Sequence, residues 1–92
     1  MSNKIHDAPH GTNVVVETKS GKVYIGRFDA VHGFEVLLHD CDVFDPKMGA
    51  DREHWIRETA TYGVDVKHRD MAFPAHEVTG WRSLGDIEKL HG

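Results

Sequence analysis

Four consecutive residues, His39, Asp40, Cys41 and Asp42, are all of metal-ligating type, and Lys67-His68-Arg69 is the compact basic run of the chain. Imidazole, thiolate and carboxylate together suit a divalent metal, and a basic run suits phosphate. The elements that would carry these residues decide what they can do. On a strand, His39 and Cys41 point one way while Asp40 and Asp42 point the other, so the four do not converge. No second pair has zinc-like spacing, and Pro9 interrupts His6 and His10. Scattered surface histidine is the better account, and neither a metal nor a cofactor is expected. The basic run reads either as a phosphate contact or as a solvated strand end paired with neighbouring carboxylates. No glycine-rich phosphate loop, nucleophile elbow or paired His-Glu helix motif occurs, and His76-Glu77 alone signals no catalysis. An enzyme is not expected.

The chain has 92 residues, a formal net charge of −4 with its eight histidines neutral, 39% hydrophobic and 28% charged residues. That length fits one domain, residues 1–92, whose own core buries its surface incompletely and which gains by burying an edge in an oligomer. The acidic balance argues against generic binding to duplex nucleic acid but leaves room for single strands held by stacking and local cations. No apolar run approaches the roughly 20 residues of a membrane span, and the first residues lack the apolar core of a secretory signal. A cytoplasmic location without a membrane partner is the expectation. Cys41, the only cysteine, precludes an intrachain disulfide and reads as a small buried hydrophobe.

Two apolar runs of period two, residues 23–31 and 34–41, are separated by His32 and Gly33, which describes a tight antiparallel hairpin. Before it, residues 13–19 form a strand with Val14, Val16 and Thr18 on one face, and Ser20-Gly21 makes the turn. Gly26 lets the second strand bend without a side-chain clash. The third strand runs over 34–44, with Phe34, Val36 and Leu38 alternating against Leu37, His39 and Cys41. Residues 1–12 form a polar N-terminal segment, 45–62 a variable loop region and 82–92 a C-terminal tail. Trp55 and Ile56 either continue the third strand past a loop or begin a short helix, and residues 58–61 lean towards strand. Further strands are predicted over 64–69, with Val64 and Val66 inward, and over 76–81, with a bend at Pro74. A helical turn over 83–90 places Leu84, Ile87 and Leu90 on one side. Many short strands between turns indicate an all-β protein: a small, strongly bent, five-stranded antiparallel barrel, SH3-like in size, with short helical turns at its termini.

The order of residue types in this hairpin resembles the first motif of the Sm/LSm family of RNA-binding ring proteins. Gly21, Val23, Ile25, Gly26, Phe28 and Val31 follow its pattern, as do Val36, Leu37 and Leu38 ahead of Asp40-Cys41-Asp42. The family's second motif, an aliphatic strand ending in Arg-Gly, is hinted at by residues 64–70. The chain departs from the family at His32, where Asp is usual, at Glu35, where Asn is usual, and at Asp70, which replaces the glycine.

The resemblance implies an Sm-like barrel and a non-catalytic protein that binds single-stranded RNA, with DNA as the alternative, in RNA processing or regulation. Carried over by position, Phe34 stacks on a base, His32 and Glu35 supply polar contacts, and Arg69, with Lys67 and His68, brings charge to the pore side. Alternation with Val36 and Leu38 gives Phe34 a competing reading as core. The resemblance also implies a homo-oligomeric ring of about five to seven subunits, closed head to tail by pairing of the fourth and fifth strands of neighbours. Trp81, just after the predicted edge strand, is expected at that interface, and Trp55 there or in the core. The alternatives are a structural or protein-interaction ring that keeps the fold without the nucleic-acid site, and a monomeric SH3-like adaptor.

Overall fold

The computed structural model describes residues 4–90. Five strands, β1 (Asn13–Thr18), β2 (Val23–His32), β3 (Glu35–Phe44), β4 (His68–Pro74) and β5 (Val78–Ser83), make one antiparallel sheet in the order β4-β3-β2-β1-β5. Helix α1 (Arg52–Tyr62) lies between β3 and β4, and short 3-10 turns cover Ile5–Asp7, Pro46–Met48, Ala75–Glu77 and Leu84–Asp86. No helix among the described residues is long and apolar enough to cross a membrane.

The apolar alternation forms β2 and β3 almost where expected, but their long pairing slips twice. Ile25 pairs with Asp42 and Arg27 with His39, so β3 carries an extra residue near Asp40, whose φ is 48°. Phe28 pairs with Leu38 and Ala30 with Leu37, so β2 carries the next extra residue at Asp29. Each bulge bends and twists its strand, and together they curve the sheet. Gly26 sits at the first slip. A Cβ there would overlap that of Cys41 and lie 2.9 Å from the His39 carbonyl oxygen, so only glycine lets the strands approach this closely.

Two expectations are corrected. The sheet is not a closed barrel, because β4 and β5 occupy its opposite edges and pair with β3 and β1. Pro74 ends β4 without an N–H to donate, and the 3-10 turn that follows sends the chain across to β1. The region 45–62 is also not simply a loop: it contains an 11-residue helix rather than strand at 58–61. The Asp51 carboxylate caps the helix by accepting the Glu53 N–H at 3.1 Å. The β-branched Thr59 and Thr61 are accommodated by returning their hydroxyls to the carbonyls of Trp55 and Arg57, at 3.0 and 2.7 Å. The fourth and fifth strands consequently start later than the sequence suggests, and Val66 is exposed rather than inward.

The helix explains why closure is unnecessary. Val14 and Val16 join Ile5, Phe28, Val36, Leu38, Cys41 and Phe73 in one core cluster, whereas Val15 joins Val23, Ile25, Phe44, Ile56 and Ile87 in another. Alternation along β1 places these clusters on its opposite faces. Ile56 of α1 covers the second, which a sheet open on that side would leave wet.

Candidate nucleic-acid interface

His32 and Glu35 are the last pair of the β2–β3 ladder, and Gly33 and Phe34 make the turn between them. The turn therefore sits one residue later than the sequence reading had it. Gly33, with φ 63°, occupies the first central position, as a type II′ hairpin turn requires. This geometry throws Phe34 out of the β3 alternation. The residue is 88% exposed, so it is not the core phenylalanine that alternation with Val36 and Leu38 suggests. His32 and Glu35 are exposed beside it.

The carbonyl of Phe34 accepts the N–H of Ala75 at 2.8 Å, and Glu35 pairs with Pro74. These contacts fix the 3-10 turn Ala75–Glu77 next to the hairpin tip. His76, 74% exposed by its side chain and 3.8 Å from the Glu77 carboxylate, thereby joins the neighbourhood of Phe34. The sequence offers His76-Glu77 only as a weak sign of catalysis and does not place it at the tip. The signal that could have placed it was Pro74, which ends a strand and turns the following residues towards the tip.

The basic run lies elsewhere. Cys41 pairs with His68, whereas Glu35 pairs with Pro74, so six residues of β3 separate the run from the tip. At strand rise that is about 20 Å. Lys67 is already occupied: its ammonium donates to Asp65 at 3.0 Å and to Asp42 at 3.3 Å. Hydrogen bonding to Asp65, then to Asp42, holds its pKa above the usual lysine value. His68 and Arg69 are exposed, and Arg69 has no ion-pair partner among the described residues. The structure thus brings together His32, Phe34 and Glu35, adds His76, and leaves Lys67, His68 and Arg69 as a separate patch.

The run from His39 to Asp42 is used structurally. His39 spans β2, β3 and β4, with Nε2 2.8 Å from Asp29 and Nδ1 2.8 Å from Asp70. Both bonds, Asp29 first, raise its pKa by favouring the imidazolium, the form with two N–H donors. Cys41 is wholly buried, and burial pushes its thiol up to about 11. Asp40 pairs with Arg27 at 3.0 Å. Among the described residues no group of three or more His, Cys, Asp or Glu side chains is arranged to hold a metal. The tryptophans are half-buried: Trp81 donates its indole N–H to the Lys4 carbonyl at 3.0 Å, and Trp55 packs on Phe44 with ring centroids 5.4 Å apart.

No family model matches this sequence, and no curated protein matches it either. Among solved structures, the chain is similar to the Sm protein of Pyrococcus abyssii in complex with a uridine heptamer. The two share 16% identity with a TM-score of 0.53, over 80% of this chain and 84% of that one. The five-stranded antiparallel sheet and this match give the chain an Sm-like fold.

Proposed function

We propose that the chain binds single-stranded RNA, or DNA in its place, at the β2–β3 turn without catalysing a reaction, as one subunit of a homo-oligomeric ring. The observation that carries this reading is Phe34, an aromatic residue left 88% exposed at the hairpin tip. An aromatic side chain in that position forgoes burial, and stacking on a base recovers contact on its face. His32 and Glu35 offer polar groups beside it, since a carboxylate accepts hydrogen bonds from base amino groups. Lys67, His68 and Arg69 form a second contact further along the strand, with Arg69 supplying its unneutralised charge. The Sm protein of similar structure, in complex with a uridine heptamer, supports the same ligand class. For the ring, β4 and β5 present unpaired edges on opposite sides of the sheet, which suit head-to-tail pairing between copies.

The test is a titration with fluorescein-labelled oligo-U and oligo-A at low and moderate salt, together with light scattering. Phe34→Ala is expected to weaken binding by about 1–3 kcal/mol per stacked base while leaving unfolding unchanged within about 0.5 kcal/mol. Binding without salt sensitivity, or indifference to Phe34→Ala combined with Arg69→Ala, would count against nucleic acid. A monomeric mass would sink the ring. A second reading, a protein-interaction ring without nucleic acid, draws on Glu35 at the tip and on the capture of Lys67 by two carboxylates. It predicts the oligomeric mass with no oligonucleotide binding.

A further inference from the structure

The formal charge of the chain opposes a polyanion, yet the proposed contact surface is rich in groups whose charge is set by pH. From β2 comes His32, from β3 Glu35, and from the 3-10 turn after β4 His76 and Glu77. The N-terminal segment adds Lys4 and His6, which line a cavity of about 410 Å³ with Ala75 and Val78. Lys22, from the connection between β1 and β2, lines a smaller cavity with Pro74 and Glu77. Lys19 approaches through its backbone N–H, which donates to the Glu77 carbonyl at 2.9 Å. The two lysines lining these cavities stand against two glutamates. The histidines are left to set the sign of the tip.

We infer that His32 and His76 make the β2–β3 tip a proton-gated phosphate contact, which holds single-stranded RNA in mildly acidic solution and releases it in mildly alkaline solution. This deepens the proposed function and rests on it. The placement is geometric: the bond from the Ala75 N–H to the Phe34 carbonyl ties the residue before His76 to the backbone of the turn, while His32 flanks the same turn through its pairing with Glu35. A base stacked on Phe34 would put its own phosphates beside these imidazoles. Neutral, they leave Glu35 and Glu77 to repel the backbone; protonated, they neutralise it. Histidine is the side chain that makes this change between about pH 5 and 8. The whole molecule moves the same way, because eight protonated histidines outweigh a net charge of −4.

Single-strand counterion release makes each added phosphate contact worth about fivefold at about 0.1 M salt, so two contacts give about 25-fold. The experiment is the affinity for fluorescein-labelled oligo-U at about pH 5.5 and about pH 8, at constant ionic strength. The wild type is compared with His32→Gln/His76→Gln and with His54→Gln on α1, and each sample is first checked for the wild-type mass. The expected result is tightening of about 25-fold at the lower pH, lost in the tip variant and kept in His54→Gln. Equal affinity at both pH values overturns the gating and leaves the proposed function standing. Tightening that survives in the tip variant, or is lost equally in His54→Gln, assigns the effect to His68 at the second contact or to overall charge and also overturns it. Absence of wild-type binding at both pH values overturns the proposed function and the gating with it.

Discussion

Replacing Gly26 with alanine puts the central crossing of β2 and β3 under direct load. The new methyl carbon would overlap Cys41 Cβ and lie 2.9 Å from the His39 carbonyl oxygen and 3.0 Å from Cys41 Cα. Favourable carbon contacts begin near 3.5 Å, and none of these atoms is the far end of a flexible side chain that can swing aside. The sheet must therefore open locally, in a core where Ile25, Leu38 and Cys41 are wholly buried. Overpacking of this kind costs about 1–3 kcal/mol, and backbone involvement favours the upper end. Against it stands a gain of about 0.4–1 kcal/mol from restricting the unfolded chain. The net expectation is a loss of about 2 kcal/mol, or about 8–16 °C in Tm for a domain of this size. Urea and thermal unfolding at one fixed protomer concentration measure it. Gly85→Ala is the internal control, since its methyl would meet only Ser83 Oγ at 3.8 Å. Cys41→Gly removes the overlapping atom, so the double variant should recover part of the loss beyond additivity. A Gly26→Ala protein within about 0.5 kcal/mol of wild type, matching Gly85→Ala, would refute the close crossing.

Two further outcomes follow from the residues around that crossing. Hydrogen bonds to Asp29 and Asp70 favour the imidazolium form of His39, so its folded pKa lies above its unfolded one. Its contribution is complete below about pH 6.5 and is lost as pH rises through the higher folded value. Tm measured across that range should fall more steeply for wild type than for His39→Asn, and parallel curves would contradict the clamp. Cys41, buried and with its thiol pushed up to about 11, should resist a thiol-specific reagent at about pH 8 until denaturant is added. Rapid labelling of the folded protein would show the β2–β3 core to be open.

The hairpin was legible because both of its signals are local. Alternation fixed β2 and β3 to within a residue or so, and Gly26 marked the bend that close approach demands. Closure was not legible, because pairing of β4 with β5 depends on where the chain goes after Pro74. The helix was obscured by its own composition. Thr59 and Thr61 read as strand formers, and only the Asp51 cap and the burial of Ile56 against Val15, Val23 and Ile25 decide for helix. Tertiary cover overrode local propensity there.

The same displacement accounts for the divided site. A fourth strand placed at 64–69 puts Arg69 at its end, facing the next turn. The observed strand ends at Pro74, so the residues beyond it are Ala75, His76 and Glu77, and Arg69 falls near the start instead. A shift of about five residues along a strand moves a side chain by about 17 Å, enough to carry it from one end of the sheet to the other. Phe34 illustrates the converse. A turn that falls one residue later than His32-Gly33 releases a ring from an alternation that promised burial, because two-residue turns interrupt the pleat that alternation assumes. Both errors arise where a strand ends, and both fall on the residues proposed to meet a ligand. The interior of each strand is specified by its neighbours' burial, but its ends are fixed by single backbone bonds such as Ala75 N–H to the Phe34 carbonyl. Loop-borne contacts are therefore the part of this molecule that its apolar pattern constrains least.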